Sequence, residues 1–117
     1  MRRILQGEVY ICDLSVDSIG CEQKGKRPCI VIQLDILNRT SNNVIIVPIT
    51  SREKRLLPTH IELEKDNYDF LIYKHNTVLC ENIRSISKDR LGKFIGKITE
   101  EDLKRILKAK DYAFIET

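Results

Sequence analysis

The four cysteines contain no Cys-x-x-Cys pair, and no stretch approaches the roughly 18 consecutive apolar residues of a membrane span. The first absence argues against a redox or zinc motif, the second against insertion in a bilayer. The two histidines, His60 and His75, stand apart from any cysteine or paired carboxylate at metal-ligand spacing, so no metal is expected. Gly20 and Gly25 flank Glu22 and Gln23 but lack the spacing of a P-loop or dinucleotide fingerprint, which leaves no nucleotide cofactor to expect. Internal repeats, low-complexity tracts and linkers are missing too. The segment Met1-Arg2-Arg3-Ile4-Leu5-Gln6-Gly7 is too poor in apolar residues for a secretory leader, and the expected location is a reducing cytoplasm. Cys12 and Cys29, set in apolar runs, are expected to be inert core thiols.

What is present is one domain's worth of chain. Its 117 residues, 42% hydrophobic and 32% charged, suffice for a single core and lie away from the composition of disorder. A net charge of +3 permits a polyanionic partner without arguing for one. Placement is more telling. Lys24, Lys26 and Arg27 fall in one turn, and Arg52, Lys54 and Arg55 follow the next strand, each group a possible phosphate footprint.

The pattern predicts a mainly β fold with short helical turns. Glu8-Val9-Tyr10-Ile11-Cys12-Asp13-Leu14 is rich in β-branched and aromatic residues and precedes a long polar loop. Cys29-Ile30-Val31-Ile32 is short and continuously apolar, as in a strand buried on both faces or one inside a tight barrel. Residues 35–43 read as a polar turn. Val44-Ile45-Ile46-Val47-Pro48-Ile49 is strongly strand-like, with Pro48 calling for a bulge or edge just before Thr50. His60-Ile61-Glu62-Leu63-Glu64 alternates, and residues 77–86 supply a fifth strand. Thr99 is placed to cap a helix carrying Leu103, Ile106, Leu107 and Phe114 on one face, its acids first and its bases last.

Two residues could share one phosphate. Pro28 holds the preceding Arg27 to extended backbone geometry and so fixes where the guanidinium points. A five-donor planar fork suits bidentate phosphate contact and can stabilise the charge of a pentacoordinate phosphorus. Thr50 offers one donor and two acceptor lone pairs, enough to orient a phosphate oxygen but not to abstract a proton. Taken alone, Arg27 and the lysines could equally be solvated surface groups, and Thr50 a residue that ends a strand and opens a turn with Ser51.

In order along the chain stand Gly7-Glu8-Val9-Tyr10, Glu22-Gln23-x-Gly25-x-Arg27-Pro28, Val31-Ile32-Gln33-x-Asp35, Pro48-Ile49-Thr50, Leu57-Pro58-Thr59-His60 and Glu81-Asn82-Ile83-Arg84-Ser85-Ile86. Assembled, they resemble the MazF/PemK toxin family over nearly the whole chain. The resemblance implies an SH3-like small β-barrel with a C-terminal α-helix, the fold shared by the MazF, CcdB and Kid toxins. It implies a homodimeric, ribosome-independent and metal-independent endoribonuclease that cuts single-stranded RNA at short motifs. Attack by the 2′-hydroxyl would leave a 2′,3′-cyclic phosphate and a 5′-hydroxyl. It further implies a MazE-like antitoxin, contact with DNA only through that antitoxin, and no cofactor.

The family's catalytic pair matches Arg27 and Thr50. Gln23, Lys24, Lys26, Ser51 and Arg84 are the RNA-contact candidates, and Glu22 or a perturbed Arg27 the candidate base. The chain departs from the family at Asn82 and Ser87, where a Gln and an Asp are common. Sequence preference is expected in the loops at residues 15–26 and 51–58, where bases of single-stranded RNA can be stacked and read. A different class of activity in the same barrel, gyrase poisoning as by CcdB, would act through the terminal helix and be indifferent to Arg27.

Overall fold

A computed structural model describes residues 3–14, 25–52 and 57–114. Seven strands form along the chain: β1 (Glu8–Asp13), β2 (Lys26–Val31), β3 (Asn43–Thr50), β4 (His60–Glu62), β5 (Thr77–Leu79), β6 (Arg84–Ser87) and β7 (Leu91–Lys97). Helix α1 (Asp35–Thr40) joins β2 to β3, and α2 (Glu100–Lys110) follows β7. All the strand pairings are antiparallel, in the order β4-β5-β3-β2-β1-β7, with β6 also paired to β3.

Five of these strands, β7-β1-β2-β3-β6, make the small barrel. Its two end strands are consecutive in the chain and joined through the 3₁₀ turn Lys88–Arg90, so a covalent link, not a ladder, brings the ends of the curl together. Tyr10 and Cys12 of β1, Cys29 and Val31 of β2, Val44 and Ile46 of β3 and Ile86 of β6 fill the inside, with Leu91 and Phe94 of β7 against them. The alternate residues Val9, Ile30, Val47 and Ile49 face outward into a second core. There they meet Val78 of β5, Leu63, and Ile106 and Ala109 of α2. Because β1, β2 and β3 are covered on both sides, their sequences lack polar alternation.

Strand β3 changes partners along one edge. Residues Asn43 to Ile46 pair with β6, while Ile49 and Thr50 pair with β5. Pro48 sits at this switch, facing Cys29 across the other edge. The irregularity expected before Thr50 is therefore a strand shared between two sheets, and the missing N–H falls where the chain leaves one ladder for the other.

Several expectations are corrected. Residues 35–40 form α1 rather than a polar turn, because buried Asn38 and Gln33 satisfy each other: Gln33 Nε2 donates to Asn38 Oδ1 at 2.9 Å and Asn38 Nδ2 to the Gln33 carbonyl at 3.0 Å. The single strand expected over residues 77–86 is two, β5 and β6, broken at Cys80-Glu81. Five strands become seven, β7 having been overlooked. Helix α2 begins as expected, with Thr99 Oγ1 accepting from the Asp102 amide at 3.1 Å, and Ile106 is buried. Phe114, however, is 72% exposed, since the helix ends at Lys110.

Candidate functional site

Strand β2 begins earlier than the turn chemistry suggested, so Lys26, Arg27 and Pro28 belong to the strand itself. Gly25, at φ +77, makes the bend before it, and its carbonyl accepts from the Leu14 amide at 2.9 Å. A side chain there would be strained, which accounts for glycine. Across β1, Cys12 faces Arg27 and Asp13 faces Lys26.

The β2–β3 register fixes the pair of interest. Val31 lies opposite Ile46, Ile30 opposite Val47 and Cys29 opposite Pro48. The paired stretch ends at Cys29 and Pro48, but both strands run on, and the same register extended by two residues sets Arg27 against Thr50. Opposed residues of an antiparallel pair share a face, and period-2 alternation puts both on the side of Cys29, Val31 and Ile46. Arg27 and Thr50 thus stand together at one end of the inner core. Thr50 is 1% exposed, and its Oγ1 accepts from the Arg52 amide at 3.3 Å, closing the turn after β3. That bond occupies one lone pair and leaves the O–H able to donate.

A recess of about 140 Å³ is lined by Lys26, Arg27, Pro28, Ile49, Ser51, Tyr73 and Asn76, with Thr50 buried between two of its lining residues in the chain. Two cationic side chains, a serine hydroxyl and an apolar wall suit one phosphate group and part of its neighbour. A broader depression of about 510 Å³ lies between β1 and β7, lined by Ile11, Asp13, Lys26, Asp89, Arg90, Leu91, Gly92 and Lys93. Lys26 lines both hollows.

Arg84 enters from the other side of β3, opposite Ile46, and its Nη1 donates to the Leu14 carbonyl at 3.4 Å. It does not line the Arg27 recess, yet its charge converges on the same ground. The thiol of Cys29 is pushed well up by its hydrogen bond with Cys12 and by burial, while Arg84 and Arg27 both pull it down. Two guanidinium groups therefore act on one point of the barrel end. Of the sequence-derived candidates, Lys26, Arg27 and Ser51 line one recess, Thr50 is buried next to Ser51 at the end of β3, and Arg84 lies on β6 outside the recess lining. Glu22, Gln23 and Lys24 fall outside the described residues, as do Lys54 and Arg55.

Two lining residues were missed, Tyr73 and Asn76, because residues 69–76 read only as a polar connection. The signal available was an aromatic within a polar stretch. The histidines are spoken for: His60 Nε2 lies 2.9 Å from Glu81 Oε2 and His75 Nδ1 lies 3.3 Å from Glu62 Oε1. Among the described residues no three His, Cys, Asp or Glu side chains group as a metal site would require. No described helix is long and apolar enough to cross a membrane.

Comparison with known proteins agrees with this geometry. A family model described as PemK-like, MazF-like toxin of type II toxin-antitoxin system matches residues 5–111. The chain is 39% identical over 112 residues to endoribonuclease MazF of Staphylococcus saprophyticus, spanning 95% of this chain and 88% of that one. An endoribonuclease from a mycobacterial species, solved in complex with its cognate antitoxin, superposes with a TM-score of 0.76 at 28% identity, covering 95% of this chain and 94% of the other. MazF from Deinococcus radiodurans superposes with a TM-score of 0.82 over 97% of this chain and 98% of its own, at 19% identity a likeness of fold alone.

Proposed function

Because this chain belongs to the PemK-like, MazF-like toxin family of type II toxin-antitoxin systems and is an endoribonuclease, we propose that it cuts single-stranded RNA at the Arg27–Thr50 recess without a metal. The family assignment sets aside gyrase poisoning. The observation that supports the site is the β2–β3 register, which extended past Cys29 and Pro48 sets Arg27, a lining residue of the recess, against the buried Thr50.

In this reading a phosphate of the RNA enters the recess. Arg27 binds two of its oxygens, and the Thr50 hydroxyl donates to a non-bridging oxygen. The 2′-oxygen of the preceding ribose attacks phosphorus, and as that bond forms the phosphorus–5′-oxygen bond breaks. The 2′-hydroxyl proton goes to a base, for which Glu22 is the candidate, and the 5′-oxygen takes a proton from that group's acid form or from water and leaves as a hydroxyl. The products are a 2′,3′-cyclic phosphate and a 5′-hydroxyl. Arg27 and Thr50 act by stabilising the negative charge that grows on phosphorus oxygens, which a preorganised donor beside low-dielectric packing does well. A pH–rate profile of Glu22→Gln that matches the parent would exonerate Glu22.

The toxin acts in the cytoplasm, independently of the ribosome, on short RNA motifs, with Lys26, Ser51 and Arg84 among its RNA contacts and Gln23 and Lys24 from the adjoining loop. It works as a homodimer, is neutralised by a MazE-like antitoxin, and meets DNA only through that antitoxin. The solved mycobacterial relative with its cognate antitoxin supports the pairing.

Removing one preorganised donor costs about 10² to 10³ in rate. Arg27→Ala is expected to lose cleavage by at least that factor while keeping the parent's circular dichroism spectrum and melting temperature. Thr50→Val should fall comparably and Thr50→Ser much less. An Arg27→Ala protein that cuts at the parent's rate would dismiss the site.

A further inference from the structure

We infer that Tyr73 is a stacking platform for a base adjoining the scissile phosphate, an inference that rests on the Arg27–Thr50 reading of the site. Tyr73 lines the same recess as Arg27 and Ser51, yet it is 57% exposed. An aromatic ring left in water on a polar connection gains nothing for the core. It is nevertheless held from beneath. The side chain of Asn76, only 3% exposed, donates through Nδ2 to the Tyr73 carbonyl at 2.7 Å. The Asn76 carbonyl in turn accepts from the buried Leu63 amide at 2.9 Å. Asn76 directly precedes Thr77, which pairs with Thr50 across β5 and β3. The backbone that carries the ring is thus tied by three short steps to Thr50.

Single-stranded RNA presents unstacked bases on either side of each phosphate, and aromatic side chains bind them face to face. The contact uses the π-face, which every base has, so Tyr73 contributes affinity and position rather than base identity. Its ring fixes the nucleotide next to the phosphate and thereby the approach of the 2′-oxygen. The other exposed aromatics, Tyr112 at 48% and Phe114 at 72%, lie beyond α2 and do not line the recess. Tyr73 is the described exposed aromatic that a phosphate at Arg27 would bring near a base.

The test begins with a cleavage site mapped on a long single-stranded transcript. Oligonucleotides copied from it carry a single abasic ribose at each position on either side of the cut. Parent, Tyr73→Ala, Tyr73→Phe and Arg27→Ala proteins are assayed on each. Tyr73→Ala should raise KM roughly tenfold to a hundredfold with kcat changed by a few-fold at most, and Tyr73→Phe should stay near the parent. At one position the abasic substitution should cost the parent a similar factor and cost Tyr73→Ala nothing further. Equal abasic penalties for parent and Tyr73→Ala at every position would overturn the inference. So would a Tyr73→Ala KM within twofold of the parent, or a Tyr73→Phe loss as large as that of Tyr73→Ala. Parent-like cleavage by Arg27→Ala would instead refute the phosphate site itself, a failure that reads separately from any of these.

Discussion

Arg27 and Thr50 show how much chemistry two adjacent residues acquire from their surroundings. Pro28 holds Arg27 extended at the start of a strand whose next inward residues, Cys29 and Val31, are core, while the Thr50 hydroxyl is buried at the end of its own strand. Both could be proposed from sequence because residue type and motif order survive without coordinates. Other motif residues turn out to hold the fold: the buried Glu8 carboxylate accepts from the Leu5 amide at 2.7 Å and the Tyr10 hydroxyl at 3.0 Å. Tyr73 was not legible, since its role depends on a neighbour in space, Arg27, that lies 46 positions away. The described cysteines, Cys12, Cys29 and Cys80, are all free and buried, as their apolar settings required.

Cys80 makes a residue-scale prediction. Burial, followed by the Glu81 charge, pushes its thiol up to about 12. A thiol raised in the folded state stabilises the fold fully below the unfolded value of about 8.5, and that contribution is lost as pH rises from there towards the folded value. Urea unfolding at about pH 7 and about pH 10 should therefore show a steeper alkaline loss of stability for the parent than for Cys80→Ala. Parallel losses in the two proteins would show that Cys80 does not carry the effect.

At the scale of elements, β1, β2, β3 and α2 were legible because each has a strong local signal, either a β-branched run or a capped amphipathic stretch. Strand β7 was not. Its sequence, Leu-Gly-Lys-Phe-Ile-Gly-Lys, has glycines where a strand usually packs side chains, and the reason is spatial. A Cβ at Gly92 would lie 2.6 Å from the Ile11 carbonyl oxygen, and one at Gly96 would overlap the Phe70 ring. The strand is written in glycine because its neighbours already fill the space. Gly92→Ala should accordingly destabilise the domain by about 1–3 kcal/mol, as overpacking against fixed backbone does. Denaturant midpoints unchanged from the parent would contradict that close approach. The break between β5 and β6 was hidden for a related reason, as β3 switches partners at Pro48 and the two short strands pair with successive stretches of its one edge.

For the whole molecule, the barrel supplies a rigid frame and a basic end, while composition gave only a net charge of +3. Lys26 lines both the Arg27 recess and the larger β1–β7 hollow, where Arg90 and Lys93 stand beside Asp13 and Asp89. An RNA strand bound there should release counterions. In an Arg27→Ala background, which holds RNA uncut, Lys26→Ala should reduce the slope of log affinity against log salt by about 0.7, one single-strand phosphate contact. An unchanged slope would place Lys26 off the RNA path. The homodimer is checked in the same samples by light scattering, where a monomer at all concentrations would reject it.

The measurement closest to the central claim is the chemistry of the RNA ends. A long single-stranded RNA is incubated with the parent protein, and separately with Arg27→Ala, in excess chelator. The account predicts 2′,3′-cyclic phosphate and 5′-hydroxyl ends from the parent and intact RNA from the variant. Cleavage that stops with the chelator, ends bearing a 3′-hydroxyl, or equal cutting by Arg27→Ala would contradict it.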